Sequence, residues 1–310
     1  MKKESVLIVG TVSNVSNVMV KDFERVFKSL SRFDSISTFL VESDSTDKTN
    51  KDLSELKGKY SNFEYIELGT LKSTIPDRIE RIRFCRNVYV KFIRDNIKEK
   101  NWEYIIVADL DGMNSKLTKV AVDSCFEDPT DWDACFANQK YGYYDLYALR
   151  HPEWMPRDCF LDLEIEKSKI SSKYLSSANV FAKFKSEIRF SKARKVAIYN
   201  KMRVIKKNSS WIKVNSAFGG FAIYKSRLFI EADYGKNPIE KSHTSEHVDL
   251  HSNLLKIHPN LYINPKLINS FWNTYNVNRY FFVRFLRYKL KDYFKIIKIG
   301  RRIFLPYWIS

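Results

Sequence analysis

The sequence predicts an α/β fold, in which a mostly parallel, Rossmann-type sheet is flanked by helices. Strand-like apolar runs alternate with helical patterns through the first hundred residues, which is typical of a doubly wound sheet. Polar side chains cluster directly after these strands, at the edge where such sheets bind ligands. The chain has 310 residues and is 44% apolar, which is enough for one large core.

Hydrophobic periodicity defines the elements of the first half. Short apolar runs bounded by polar turns are predicted as strands at residues 5–9, 37–41, 63–68 and 104–108. Apolar residues that recur every three or four positions predict helices at residues 19–30, 51–57 and 76–97. Strands and helices in strict alternation indicate a nucleotide-binding half over residues 1–112.

Two carboxylates one residue apart follow the strand at 104–108. Asp109 and Asp111 precede Gly112, so they are predicted to lie where a buried strand ends in a tight turn. Paired carboxylates at that edge suit Mg²⁺ or Mn²⁺, which would neutralise the phosphates of a nucleotide. A simpler alternative is a turn in which both side chains only cap backbone amides.

The helix at 76–97 carries four arginines outside its apolar stripe. Such arginines are usually solvated, but Arg86 lies near the level where the strand ends converge. Its planar guanidinium is suited to pairing with a diphosphate. A second polar cluster follows the strand at 37–41, where Glu42, Ser43 and Asp44 open a loop rich in hydrogen-bonding side chains.

The second half, residues 113–275, is predicted to bind the acceptor. A helix at 116–126 and a strand at 133–137 precede a segment that contains Tyr144, Asp145 and Arg150. These side chains suit the wall of a sugar site, although a β-hairpin with buried tyrosines has the same composition. Gly219 and Gly220 precede another apolar strand, where they either let the backbone approach a ligand or make a turn.

A helix beginning after residue 244 or 245 brings histidines and carboxylates together. His247 and His251 are four residues apart and so share one face, whereas Glu246 and Asp249 share a neighbouring face. An imidazole on this helix would suit a metal, and His251 is the candidate. Glu246 or Asp249 would act as a catalytic base or stabilise positive charge on a sugar.

Positive charge is concentrated in two segments. Residues 167–213 carry 14 Lys or Arg against one acid, Glu187, and form most of a predicted insertion at 160–213. Residues 279–310 carry 9 against Asp292 alone, although the whole chain has a net charge of only +17. The remaining body is therefore mildly acidic, which argues against nucleic acid as a partner.

The tail at 276–310 has a basic face opposite an aromatic and aliphatic face. This pattern is typical of a helix on an anionic membrane surface, with contacts through residues 279–308, although docking on the protein's own core is an alternative. With no apparent signal peptide, no long apolar stretch and four unpatterned cysteines, we expect a cytoplasmic protein at the inner face of a membrane.

Five segments occur in an order that resembles a GT-A glycosyltransferase over about residues 5–270. They are residues 42–49, 86–87, 109–111, 218–221 and 246–249. More narrowly, residues 144–150 and 246–251 are similar to the capsule-associated mannosyltransferase group of fungi and its microbial relatives.

The resemblance implies a UDP- or GDP-linked sugar donor and a divalent metal. Glu42 and Ser43, with Asp44 in the same loop, would contact the base or ribose. Asp109 would contact the ribose and the metal, and Asp111 the metal alone. The implied activity is hexosyl transfer to a glycan or glycolipid acceptor in the biosynthesis of a surface polysaccharide such as lipopolysaccharide or capsule.

Other implied roles fall in the second half. Gly219 and Gly220 would line the donor pocket and border the acceptor, and Glu246 or Asp249 would occupy the place of the base in inverting members. The fold's usual C-terminal metal-binding histidine has no counterpart after His258, so His251 or water would replace it. The mannosyltransferase relatives retain configuration, which leaves the stereochemistry open.

Two alternatives to this activity follow from the same residues. A nucleotidyltransferase or phosphotransferase would use the paired aspartates on an activated nucleotide and release pyrophosphate. A non-catalytic protein would use the basic segments to bind an anionic surface.

Overall fold

The computed structural model describes residues 4–169, 180–235 and 244–273. Its strands form a single sheet and are β1 (Ser5–Val12), β2 (Ser35–Glu42), β3 (Phe63–Glu67), β4 (Tyr104–Ala108), β5 (Ala134–Gln139), β6 (Ile212–Lys213), β7 (Phe221–Lys225) and β8 (Leu261–Ser270). The order across the sheet is β3-β2-β1-β4-β7-β5-β8-β6. One sheet thus joins the two predicted halves of the chain.

Most of the strands run in the same direction. β1 is parallel to β2 and β4, β2 to β3, and β5 to β8. β7 is antiparallel to both β4 and β5, and β6 is antiparallel to β8. The predicted fold class, a mostly parallel α/β sheet flanked by helices, is confirmed.

Helices cover both faces of the sheet. They are α1 (Met19–Ser29), α2 (Thr49–Lys59), α3 (Arg78–Lys100), α4 (Lys119–Asp123), α5 (Cys159–Ser168), α6 (Val180–Ala197), α7 (Leu228–Glu231) and α8 (Glu246–Leu254). Alternate residues of β1 enter opposite cores: Leu7 and Val9 pack with α3, α7 and α8, and Val6 and Ile8 pack with α1, α2 and α4. This alternation buries both faces of the sheet.

The predicted elements of the first half are observed with bounds that differ by up to three residues. The helix predicted at 116–126 is shorter, because it begins after Thr118, whose hydroxyl accepts the Ala121 N–H at 3.2 Å, and ends at Asp123. The segment 160–213 contains helices α5 and α6, where no clear organisation was predicted. Residues 170–179 of that segment and the whole tail at 276–310 lie outside the described residues.

None of the helices in the described part of the chain is long and apolar enough to cross a membrane. The chain passes from β1 outward to β2 and β3, and then places β4 on the other side of β1. The carboxyl ends of β1 and β4 thus border the point where the strand order reverses, which is where open α/β sheets bind ligands.

The two strands at this point approach closely at Gly10. A Cβ atom added there would lie 2.5 Å from the Ala108 carbonyl oxygen. Backbone atoms of a buried strand cannot move away cheaply, so only glycine fits at this position.

We predict that Gly10→Ala lowers the free energy of unfolding by about 1–3 kcal/mol, because the added methyl group forces β1 and β4 apart. The matched control is Gly58→Ala on exposed α2, where an added Cβ meets no atom within 4 Å. That change should stabilise the protein by about 0.5–1 kcal/mol through helix propensity. Urea denaturation measures both, and equal stability of the two variants would contradict the close approach.

Candidate active site

Asp109 and the glycine pair meet at the carboxyl end of β4. Because β7 runs antiparallel to β4, the residues before β7 lie beside those after β4, and the Asp109 N–H donates to the Gly220 carbonyl at 3.0 Å. Asp111 is exposed, and the Asp109 side chain is 32% exposed. Both carboxylates are therefore open to a ligand in the crevice.

Arg86 is buried below these residues and binds two of the predicted site carboxylates. Its Nε donates to Glu246 at 3.2 Å, and its Nη2 lies 3.5 Å from the Asp109 carboxylate. Its Nη1 donates to the Tyr89 hydroxyl at 3.1 Å. Arg86, Asp109 and Glu246, which come from three distant parts of the sequence, are thus brought together in one cluster.

The carboxyl groups of Asp109 and Asp111 have raised pKa values. Partial desolvation by the walls of the crevice raises the pKa of Asp109, Arg86 opposes this effect, and the neighbouring Asp111 adds to it. Desolvation by the surrounding protein likewise raises the pKa of Asp111, although its side chain is accessible from the crevice. Ionised carboxylates in this position would be stabilised by a bound cation.

The carboxylate oxygens of Asp109 and Asp111 fit Mg²⁺ or Mn²⁺. Within the described ranges, no group of three or more His, Cys, Asp or Glu side chains is placed to hold a metal. A hard cation that is held by one or two carboxylates takes its remaining ligands from water and substrate phosphates. Two carboxylates at this site would therefore leave coordination positions open for water or a phosphate.

Glu246 and Asp249 have different surroundings, although both belong to α8. The Asp249 side chain is 2% exposed and forms an ion pair with Arg83, which also donates to the Thr244 carbonyl at 3.0 Å. These bonds attach α8 to α3, and a carboxylate locked in this way is not available to a sugar hydroxyl. The contacts argue against the prediction of Asp249 as a base and leave Glu246, whose side chain is 10% exposed.

The prediction of His251 as a metal ligand is contradicted by its contacts. Its Nδ1 is 2.8 Å from the Ser216 hydroxyl, and its Nε2 is 2.9 Å from the Tyr224 hydroxyl. The ring is fully buried, and burial lowers its pKa to about 3. With both nitrogens used inside the core, the imidazole has no lone pair to offer a metal.

The prediction of Arg150 as a sugar-binding residue is also contradicted. Its Nη1 donates to the carbonyls of Tyr147 and Leu149 at 3.0 and 2.9 Å, and its Nη2 lies 3.5 Å from Asp158. The side chain is buried, so it stabilises the loop after β5 from within. The sequence pattern missed this because it does not reveal which carbonyls a buried guanidinium meets.

Tyr144 and Asp145, in contrast, lie at the glycine pair. The Asp145 carboxylate accepts the Gly219 N–H at 2.9 Å, and burial raises its pKa to about 6. The Tyr144 hydroxyl is 3.3 Å from the position that a Cβ on Gly220 would occupy. The segment between β5 and Arg150 is a loop and not the alternative β-hairpin, although its Tyr143 is buried in the core.

The loop after β2 is stabilised by its own polar side chains. The Glu42 carboxylate accepts the Ser45 N–H at 2.9 Å, and the Ser43 hydroxyl accepts a bond from the Cys85 thiol at 3.5 Å. The Asp44 carboxylate accepts the Lys72 N–H at 2.8 Å. Cys85 directly precedes Arg86 in α3, so the hydrogen bond from its thiol to Ser43 holds the loop near the buried Arg86.

A buried amide network that the sequence analysis missed supports the glycine pair. Asn114 donates to the Gly220 carbonyl at 3.2 Å, and Asn269 and Gln139 donate to the Gly219 carbonyl at 2.8 and 3.1 Å. Both glycines have φ in the left-handed region, at 72° and 83°. The available signal was a set of amide side chains at the ends of apolar strands.

Asp22 of α1 holds the turn that follows Asp111. Its carboxylate accepts the N–H groups of Gly112 and Asn114 at 3.0 and 3.3 Å. Burial raises the pKa of Asp22 to about 6, and Asp111 contributes to this rise. Sequence periodicity did not indicate this role, because Asp22 lies between the exposed Lys21 and the apolar Phe23 and resembles an ordinary first-turn acid.

His247 lies beside Glu246 and Arg86, and its imidazole is buried without a hydrogen-bond partner among the described residues. The ring is buried and stacks on Phe218 with a centroid distance of 3.8 Å. Neither ring nitrogen has a hydrogen-bond partner among the described residues, and Nε2 is 3.8 Å from the Glu246 carboxylate. Burial, Arg86 and His251 lower its pKa well below the ordinary value, so the ring is neutral.

The comparisons with known proteins find partial similarity in structure and no match in sequence. No protein-family model and no curated protein sequence matches this chain. Mannosyltransferase PcManGT from Pyrobaculum calidifontis, in complex with GDP-Man and Mn²⁺, aligns over 97% of this chain and 66% of its own at 12% identity and a TM-score of 0.46. S. aureus TarS 1-349 aligns over 84% and 57% at 13% identity and a TM-score of 0.40.

A complex of S. aureus TarS 1-349 with UDP-GlcNAc aligns over 89% of this chain and 61% of its own, at 14% identity and a TM-score of 0.40. This chain thus spans less than two thirds of the length of these structures. Because all three TM-scores are below 0.5, the similarity assigns neither a family nor an activity to this chain.

The two histidines of α8 provide a matched pair of substitutions. We predict that His247→Phe changes the free energy of unfolding by less than about 0.5 kcal/mol, because no hydrogen bond is lost and the stacked ring is kept. His251→Phe should cost about 1–3 kcal/mol, because Ser216 and Tyr224 lose their partner. Chemical denaturation of both variants measures the free energy of unfolding, and equal losses of stability would contradict the hydrogen bonds assigned to His251.

The pKa of His251 also predicts a dependence on pH. Its folded-state pKa of about 3 lies below the ordinary 6.5, so the unfolded chain binds a proton that the folded chain excludes. The wild type therefore loses stability as pH falls below 6.5, by about 1.4 kcal/mol per pH unit, and His251→Phe lacks this loss. The stability gap between the two proteins should narrow from pH 7 to pH 5, and a constant gap would contradict it.

Proposed function

We propose that this chain is a metal-dependent glycosyltransferase that moves a sugar from a nucleotide-diphospho-sugar to a glycan or glycolipid. The observation that carries the proposal is the cluster of Arg86, Asp109 and Glu246 at the carboxyl ends of the strands, with Asp111 exposed beside it. One cationic group and two carboxylates open to the crevice support a ligand with a diphosphate, and Glu246 would receive a proton.

On the donor side, the chain's residues would bind and orient a diphosphate. Asp109 and Asp111 would hold Mn²⁺ or Mg²⁺, which neutralises the charge of the leaving group when bound. Arg86 would donate to a phosphate oxygen as negative charge develops there. Ser43, in the loop after β2, would contact the base or ribose. The predicted contact of Glu42 is replaced by a structural role, because its side chain is buried and, with Asp44, fixes the shape of the loop.

On the acceptor side, Glu246 is our candidate base. Glu246 and Asp109 both pair with Arg86, and the Glu246 carboxylate accepts a hydrogen bond from the Arg86 Nε at 3.2 Å. A diphosphate that competes for the guanidinium would weaken this bond and leave the Glu246 carboxylate free to accept a hydrogen bond from the acceptor hydroxyl. Proton removal from the acceptor hydroxyl would then coincide with the presence of the donor, which limits hydrolysis by water.

Three details extend the proposal. The similarity of residues 144–150 and 246–251 to capsule-associated mannosyltransferases supports a UDP- or GDP-linked hexose as the donor and a surface polysaccharide as the product. We place residues 1–112 as the nucleotide-binding half and 113–275 as the acceptor half of one domain. The charge and amphipathic pattern of residues 279–308 support a peripheral position on an anionic membrane, on its cytoplasmic face.

The test is isothermal titration with UDP, GDP and CMP, each with and without Mn²⁺, on the wild type, Asp111→Ala and a control, Asp131→Ala. Asp131 is an exposed aspartate that precedes β5, at the opposite edge of the sheet. We expect one nucleoside diphosphate to bind in a metal-dependent manner, and Asp111→Ala to weaken it at least about tenfold, or 1.4 kcal/mol. Asp131→Ala should bind like the wild type.

Two outcomes would contradict the proposal. If no nucleotide binds, or if Mn²⁺ and Asp111→Ala have no effect, the paired aspartates are a turn and not a metal site. If a bound nucleotide sugar is consumed with release of pyrophosphate in place of a nucleoside diphosphate, the chain is a nucleotidyltransferase that uses the same residues.

A further inference from the structure

A group of aromatic rings lies at the carboxyl ends of β5 and β8. Tyr141 and Trp272 stack with a centroid distance of 4.3 Å and an interplanar angle of 25°, and the Phe271 ring meets Tyr141 edge-on at 6.0 Å. Trp272 is 50% exposed. An indole that stands half exposed on a second ring offers a flat apolar surface about the size of a pyranose.

Two lysines flank these rings. The Lys140 ammonium lies 4.6 Å from the centroid of Phe271 and 5.3 Å from that of Tyr141, and the Lys116 ammonium lies 5.6 Å from Phe271. Both lysines are exposed, and neither pairs with a carboxylate of the described residues. We call Tyr141, Phe271, Trp272, Lys116 and Lys140 together the aromatic platform; its charge is positive.

The aromatic platform is joined to the candidate active site by the backbone. The Lys116 N–H donates to the Asn269 carbonyl at 2.8 Å, and the Lys140 N–H donates to the Ser270 carbonyl at 3.0 Å. Asn269 in turn donates to the first glycine of the pair before β7. Ser270 lies 3.9 Å from the sulfur of Met113, which packs on the second glycine. The two sites therefore belong to one rigid framework.

The position of the platform separates it from the expected place of the nucleotide base. The base is expected at the carboxyl end of β2, and from β2 the sheet continues through β1, β4 and β7 before it reaches β5. Adjacent strands are about 4.8 Å apart, so β5 lies about 19 Å from β2. This is the side of the crevice where an acceptor would approach the transferred sugar.

We propose that the aromatic platform is an acceptor subsite that binds an anionic saccharide. The C–H face of a pyranose would stack on the exposed face of Trp272, which Tyr141 supports from the other side, and a carboxylate or phosphate on the saccharide would pair with Lys116 and Lys140. This inference rests on the proposed glycosyltransferase function, because it names the class of acceptor for the same crevice.

The test titrates the full chain with three saccharides: trigalacturonate as a carboxylate source, mannose 6-phosphate as a phosphate source and maltotriose as a neutral match. Three variants are compared with the wild type. Trp272→Ala removes the exposed ring, Lys116→Gln with Lys140→Gln removes the charge, and Trp211→Ala is the control. Trp211 is a partly buried tryptophan that meets Tyr262 at 6.1 Å, at the other end of β8.

We expect at least one anionic saccharide to bind on the order of millimolar and about tenfold more tightly than maltotriose. Trp272→Ala should weaken this binding about tenfold, the double lysine variant should lose the preference for the anionic ligand, and Trp211→Ala should have no effect. Which of the two anionic ligands binds distinguishes a carboxylate source from a phosphate source.

The proposal is overturned if neither anionic saccharide binds, or if Trp211→Ala and Trp272→Ala have equal effects. It is also overturned if Trp272→Ala weakens UDP or GDP binding and leaves saccharide binding intact, because the platform is then a base site. Nucleotide titrations on the same samples separate the two hypotheses. Saccharide binding without any nucleotide binding would contradict the transferase, and the reverse would contradict only the platform.

Discussion

The pairing of one buried guanidinium with the carboxylates around it is the interaction on which the candidate site depends. Burial by itself would lower the pKa of Arg86, but Tyr89, Glu246, Tyr234 and Asp109 outweigh it, and the group stays charged. A buried charge is costly unless it is paired, and removal of one partner leaves the others uncompensated. Arg86 therefore fixes the relative positions of α3, α8 and the end of β4.

The glycine pair adds a second constraint. Gly219 and Gly220 allow the chain to enter β7 so close to β4 that the Asp109 N–H reaches the Gly220 carbonyl. Side chains at these positions would collide with the Ala137 carbonyl and with Met113. Amide side chains from β5, β8 and the turn after Asp111 donate to the glycine carbonyls, and the Gly220 carbonyl also accepts the Asp109 N–H, so both carbonyls are satisfied. A crevice shaped by backbone in this way has little freedom to close or shift.

Sequence patterns predicted the layers of the fold because periodicity reports which face of an element is buried. They placed Asp109 at a strand end and Glu246 in the first turn of a helix, and both are observed there. They did not show which of Glu246 and Asp249 is the better candidate base, because both are acids near the start of α8. The difference lies in α3, which places Arg86 opposite Glu246 and Arg83 opposite Asp249.

The same limit explains the error for His251. Spacing put His247 and His251 on one face of α8, which is correct, but it did not show what lies across from them. His251 faces two hydroxyls, whereas His247 faces the Phe218 ring. The reversed direction of β7 was also hidden, because its apolar run reads alike in both directions. Partners across the core are set by tertiary packing and not by local pattern.

Charge is distributed across the crevice in a way that suits two anionic ligands at once. A diphosphate at Asp109 and Asp111 would meet carboxylates, so its binding calls for a cation, whereas the aromatic platform already carries Lys116 and Lys140. β5 is two strands away from β4, so the two places are about 10 Å apart on the strand spacing. This is slightly more than the Debye length of about 8 Å at physiological ionic strength, so repulsion between the two ligands is partly screened where they are exposed to solvent. The lysines of the platform would offset the repulsion that remains, so that a diphosphate at Arg86 and an anionic acceptor at the platform would be bound together.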